Sequence, residues 1–183
     1  MSEETIVRNA APTLAGLKSG NLFTCDYNSR SALEAEVRKY NAALAPKGIV
    51  MLILRWSERK ALIYLFRPGM LRRDLSGSEA LPILAAAGYE GLSMAQCLRR
   101  LRDRLSVNTD FPHEIGLFLS YPPEDVRGFI EHRDTGCKQI GCWRVYSDVE
   151  AAEEKFRQFK MCTDSYCRRS AMGVPMERLA VAV

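Results

Sequence analysis

The stretch IGLFLSYPPEDVRGFIEHRDTGCKQIGCWRVY, residues 115–146, decides the fold. Its first six residues form an apolar run, PPEDVRGFIEH puts proline in the first turn of a helix, and QIGCWRVY returns to a strand-like pattern. Strand, helix and strand in that order predict a parallel pair with a right-handed crossover, a βαβ unit. The following segment, DVEAAEEKFRQFKMCTDSYCRR from Asp148 to Arg169, predicts a long helix with an apolar stripe through Val149, Ala152, Phe156 and Phe159.

Upstream, NLFTCDY at 21–27 predicts a strand, and SRSALEAEVRKYNAALAPKG at 29–48 a helix opened by a serine cap and stopped before Pro46 and Gly48. IVMLILRWSERKALIYLFR at 49–67 reads as two strands around a polar turn, apolar on both faces and so placed inside the sheet. Helices are expected near Gly69 to Leu75, Glu79 to Ala87 and Met94 to Leu105, the last opened by Ser93 with Gln96 in a capping box. The expected fold class is α/β in the mixed α+β sense: a single domain over 1–183, loose at about 1–8 and 174–183. It has a mixed sheet of about five strands, with an antiparallel hairpin and a C-terminal βαβ unit, covered by helices.

The 183 residues are 47% hydrophobic and 26% charged, a globular composition of one-domain size. MSEETIVRN lacks a basic start leading into an apolar core, and runs such as GIVMLIL are too short to span a bilayer, so a non-membrane, cytoplasmic protein is expected. Six cysteines in such a chain read as reduced thiols. The net charge of +4 is mild. Arg99, Arg100, Arg102 and Arg104 could meet phosphates, but a solvated helix face is the plainer reading, and the lack of an aromatic stacking platform argues against nucleic acid. No G-x-G-x-x-G or G-x-x-x-x-G-K-[ST] motif points to a nucleotide. GLSMA lacks the preceding strand and final glycine of a serine nucleophile elbow, so Ser93 is better used as a cap.

Chemistry concentrates at two ends of the expected βαβ unit. Cys137, Cys142, Cys162 and Cys167 form two C-x4-C pairs separated by nineteen residues. From a turn near Ser147, Cys142 lies about 16 Å back along a strand at ~3.3 Å per residue. Cys162 and Cys167 lie about 21 and 28 Å along a helix at ~1.5 Å per residue, so the pairs reach the same end. Phase is less favourable, because Cys167 lies near the helix stripe while Cys162 points about 120° away. His113 and Glu114, entering the first strand, join that end. The set could hold zinc or iron or carry thiol redox chemistry, with Arg133, Lys138 and Arg144 lowering thiol pKa values. Buried or surface cysteines and a hydrogen-bonded histidine remain the plain alternative.

The opposite end offers Asp26 with Tyr27, Tyr121 with Asp125, and Tyr146 with Asp148, at three strand-to-helix junctions. They could line a small-ligand pocket, or the acids could simply complement helix N-termini. His132 reads as a helix C-terminal cap. Two functions follow: a metal-binding or thiol-redox-associated protein, or a non-catalytic small-ligand or protein-interaction module. Spacing alone assembles no nucleophile, base and orienting group, which leaves enzymatic activity undecided.

APTLAGLKSGNLF, PKGI, FPHEIGLFLSYPPEDVRGFI and CWRVYSDVEAA, in this order over nearly the whole chain, resemble the bacterial family known as domain of unknown function 3793, found in anaerobic, often gut-dwelling bacteria. The resemblance rests on His113, Glu114 and Gly116, on Tyr121 and Pro122, and on Trp143, Val145 and Tyr146. It implies no assigned activity and only a loose tilt toward metal or redox physiology. Family members often carry a His-Cys pair ahead of the PTL segment, where this chain has Asn9 and Ala10.

Overall fold

The computed structural model describes residues 1–107 and 111–183. In chain order the elements are α1 (Glu3–Leu14), β1 (Gly20–Asp26), α2 (Arg30–Leu44) with a 3-10 turn (Ala45–Lys47), β2 (Val50–Trp56) and β3 (Lys60–Phe66). Next come α3 (Pro68–Leu75), α4 (Ala80–Ala86), α5 (Met94–Val107), α6 (Ile115–Phe118) and α7 (Pro123–His132). The chain continues through β4 (Gln139–Ile140), β5 (Arg144–Val145), α8 (Val149–Ala171) and α9 (Met176–Leu179). Two compact units result: unit 1 comprises Met1–Met70 and Phe159–Val183, and unit 2 is Leu71–Gln158.

Unit 1 is built on an antiparallel sheet in the order β1-β3-β2. The expected hairpin is present, and its second strand, KALIYLF, is central, which is why it is apolar on both faces, but its first strand, β2, is at the sheet's edge and not inside it as expected. A register shift between Ile53 and Arg55 marks a bulge in β2. Ile6, Val7 and Leu14 of α1, Leu33 and Val37 of α2, and Met176 and Leu179 of α9 join Phe23, Met51, Ile63 and Leu65 of the sheet in one core. Asn41 ties α2 to the edge strand by pairing both backbone groups of Met51, donating from Nδ2 at 2.9 Å and accepting at Oδ1 at 2.7 Å.

Arg67, 2% exposed, is surrounded by carbonyls. Nε donates to Thr13 O at 2.6 Å, Nη1 to Lys47 O at 3.0 Å, and Nη2 to Leu14 O and Val181 O, both at 2.8 Å. Thr13 and Leu14 end α1, where helix carbonyls lack intrahelical donors, so the guanidinium caps that end. Burial holds its pKa below the ordinary guanidinium value.

Unit 2 corrects the expected topology. Ile115–Phe118 form one helical turn, not a strand, with Ile115 N–H, Gly116 N–H and Leu117 N–H donating in sequence to Pro112 O, His113 O and Glu114 O. All four residues of the turn are buried, so the run shows no period, and a short run without one fits either element. QIGCWRVY is not a single strand but folds back near Gly141, pairing Gln139 with Val145 and Ile140 with Arg144 in an antiparallel hairpin. Gly141 lets the Phe156 ring lie against this turn, since a Cβ there would strike it. Among the described residues the five strands therefore divide into an antiparallel three-stranded sheet and a two-stranded hairpin, with no parallel pair and no five-stranded sheet.

On α5, two of the four clustered arginines work inside unit 2. Arg100 donates to Ala87 O from Nε at 3.0 Å and from Nη2 at 2.8 Å, and Arg104 Nε lies 2.6 Å from Glu114 Oε1 in an ion pair. Gln96 Oε1 accepts the Ser93 N–H at 2.8 Å, as the capping pattern requires.

Candidate functional site

Unit 2 contains a cavity of about 390 Å³ between α6, α7 and the hairpin. Ile115, Gly116 and Leu119 supply one wall, and Val126 and Phe129 of α7 another. Trp143 and Arg144 come from the hairpin, Tyr121 and Asp125 from the turn and start of α7, and Phe111 and His113 from the segment before α6. Gly116 allows this closeness, since a Cβ there would lie 2.7 Å from Val126 Cγ2 and 3.1 Å from Tyr121 Cδ2. The rings pack on each other: Tyr121 and Trp143 have centroids 5.0 Å apart, and Trp143 meets Phe156 edge-on at 4.5 Å. Burial pushes the Tyr121 pKa up to about 12, with the neighbouring Cys142 adding to the shift, so its hydroxyl is protonated at neutral pH.

Asp125 organises this wall. It is 2% exposed, and Oδ2 accepts the Trp143 indole N–H at 2.7 Å. Oδ1 accepts the Tyr146 N–H, the Ser147 N–H and the Ser147 hydroxyl, each at 2.8 Å. These donors flank β5 on both sides, so the carboxylate fastens the hairpin to α7 rather than simply complementing a helix start. A carboxylate with four donors has little capacity left for a ligand.

The basic side is different. Arg133 Nη1 is hydrogen-bonded to His113 Nε2, and because a guanidinium can only donate, that ring nitrogen is the acceptor. The His113 ring also meets Phe129 edge-on with centroids 4.8 Å apart. Arg144 Nη1 pairs with Asp134 Oδ1 at 2.6 Å, while its guanidinium lies 5.8 Å from the Phe129 ring centre.

The other candidate residues are elsewhere. Glu114, 3% exposed, is held by Arg104 and by the Tyr89 hydroxyl, which donates to Oε1 at 3.0 Å. Burial, with Glu114 adding to it, drives the Tyr89 pKa upward. Cys137 donates its thiol proton to Gln139 O at 3.1 Å, and Cys142 is exposed. Cys162 and Cys167 belong to unit 1, where Cys167 packs against the core and burial pushes the Cys162 pKa up to about 11. Both lie on one continuous helix, α8, which runs from Val149 to Ala171. Among the described residues, no group of three or more His, Cys, Asp or Glu could hold a metal ion.

Of the tyrosine and aspartate pairs, Asp26 and Tyr27 lie in unit 1, where the Tyr27 hydroxyl donates to Ser57 O at 2.7 Å. Asp148 Oδ1 accepts Ala151 N–H at 3.0 Å, a helix cap. Tyr146 turns its hydroxyl to Arg133 O and lays its ring on Gly128. A Cβ at Gly128 would lie 2.6 Å from Tyr146 Cγ and 2.7 Å from its Cβ, atoms too near the backbone to swing aside. Gly128→Ala is therefore expected to destabilise the protein by about 1–3 kcal/mol, although alanine is ordinarily the better helix residue. Urea unfolding checks the sign; a more stable variant would refute the contact.

Asn9 and Ala10 contribute to unit 1: Asn9 donates from Nδ2 to Thr5 O at 2.8 Å, and Ala10 is fully buried. Sequence reasoning missed Phe111, Ile115, Leu119, Val126 and Phe129 as cavity residues. Val126 and Phe129 follow each other at helical spacing, a signal that reads equally well as ordinary core. No helix among the described residues is long and apolar enough to cross a membrane.

No curated protein and no solved structure matches the chain. A family model described as "Protein of unknown function (DUF3793)" matches residues 6–180.

Proposed function

The chain belongs to the DUF3793 family, whose description names no activity, and we propose from the cavity that it is a non-catalytic small-ligand-binding protein. The observation carrying this reading is the lined space of about 390 Å³, within the range of about 300–1,000 Å³ common to small-molecule sites. Its walls are mainly aromatic and aliphatic, with a few polar groups at one side, the mixture that holds a ligand by burial and orients it by charge. His113, Gly116, Tyr121 and Trp143, which carry the family resemblance, all line it.

The metal or thiol reading has less support. A Cys162 thiol with a pKa of about 11 is protonated at neutral pH, and Glu114 is already paired inside the protein. A protonated Cys162 does not offer the ready thiolate that metal binding or thiol exchange requires.

Saturation-transfer NMR with a mixture of one- and two-ring aromatic compounds tests the cavity. The full chain is expected to transfer magnetisation to at least one compound. Leu119→Trp, which fills the space, is expected to lose that transfer while retaining cooperative thermal unfolding. Equal transfer in a folded Leu119→Trp protein, or none in the unmodified chain, overturns the proposal.

A further inference from the structure

Resting on that reading of the cavity, we infer that its ligand is a planar aromatic acid, with the ring among Tyr121, Phe129 and Trp143 and the carboxylate directed to Arg133 and Arg144. The charges that remain able to act on a guest select its class. Among the described residues Asp125 is the one acid in the lining, and its two oxygens already accept four hydrogen bonds from Trp143, Tyr146 and Ser147. A cationic guest would therefore displace good bonds to reach it. The basic groups are less fully used. Among the described residues Arg133 has no carboxylate partner, and its Nη1 donates to His113 Nε2. Arg144 uses Nη1 on Asp134, an acid 79% exposed, and also meets the Tyr146 side chain, while a guanidinium has five donors in all.

Position supports the same choice. Arg144 lines the cavity and lies by the Phe129 ring, so a carboxylate at its free donors would leave an attached ring close to the aromatic wall. Arg133 reaches the same side through His113, itself edge-on to Phe129. A charge-assisted bond to arginine adds to burial of the ring, whereas an ammonium at this position meets two guanidinium groups. A neutral aromatic keeps the stacking and loses the charged bond.

Three isosteric probes separate these terms: 2-naphthoate, 2-naphthylmethanol and 2-naphthylmethylamine, each titrated calorimetrically into the full chain. Naphthoate is expected to bind about tenfold or more tighter than the alcohol, the scale of one charge-assisted hydrogen bond, with the amine weakest. Arg144→Met is expected to bring naphthoate down toward the alcohol while leaving the alcohol unchanged, and that unchanged affinity shows that the cavity is intact. If the alcohol or the amine binds as tightly as naphthoate, the acid preference is wrong although the cavity binds ligands. If none of the three binds at millimolar concentration, the cavity reading fails and this inference with it.

Discussion

Asp125→Ala is expected to lower stability by about 3–5 kcal/mol, among the largest costs for a single side chain in this protein. The carboxylate accepts from Trp143 Nε1 through one oxygen and from three donors of Tyr146 and Ser147 through the other. Its loss strands those donors in a site where the acid is 2% exposed, and each unsatisfied buried group costs about 1–3 kcal/mol. Water entering from the cavity recovers part of that cost, which keeps the total below the simple sum. Asp125→Asn separates the two oxygens. It keeps the three bonds at one position and turns an amide N–H toward the Trp143 indole N–H at the other, for about 2 kcal/mol. Chemical unfolding should rank wild type above Asn and Asn above Ala. Adding Trp143→Phe should cost less in the Asn background than alone, by about 1 kcal/mol, because the conflicting donor is gone. An Asn variant as stable as wild type would show that the indole bond contributes nothing.

Arg67→Met is the second large effect, at about 3–4 kcal/mol, and it falls on unit 1. Methionine replaces much of the buried volume, so packing is not the main loss. Thr13, Leu14, Lys47 and Val181 each lose a donor to their carbonyl oxygen. Arg67→Lys should recover less than half the loss, because an ammonium has three donors and no planar fork to span four carbonyls. Urea unfolding of both variants checks the order; equal stability of Met and Lys would mean that charge and hydrogen bonding at this position do not matter.

The sequence was most legible where one period dominated. The KALIYLF strand and the long helix from Asp148 emerge close to where they are observed, because an inner strand is apolar throughout and α8 repeats its stripe over 23 residues. IGLFLS was not legible, because burial on every side of a single turn erases the period that distinguishes helix from strand. That ambiguity also concealed the site. A strand between His113 and Tyr121 sends them to opposite ends of a sheet, whereas the α6 turn leaves both on one cavity. The single strand expected through Cys142 was not legible either, because QIGCWRVY bends at Gly141 and no local period announces the turn. Asp125 looked like a helix-start acid because its partners, Trp143, Tyr146 and Ser147, are far along the chain and no local pattern announces them.

Unit 2 is one unbroken stretch, Leu71–Gln158, inserted between the two pieces of unit 1. Synthesis from the N-terminus therefore gives the two units different timetables. Every residue of unit 2 has been made before α9 exists, so its cavity can assemble while unit 1 still lacks Met176 and Leu179 from its core. The bonds of Val181 to Leu14 and Arg67 join chain segments more than a hundred residues apart, and the entropy of closing so long a loop makes them late. Until then α1 and the sheet present an uncovered apolar patch, the kind of surface on which nascent chains associate and chaperones act.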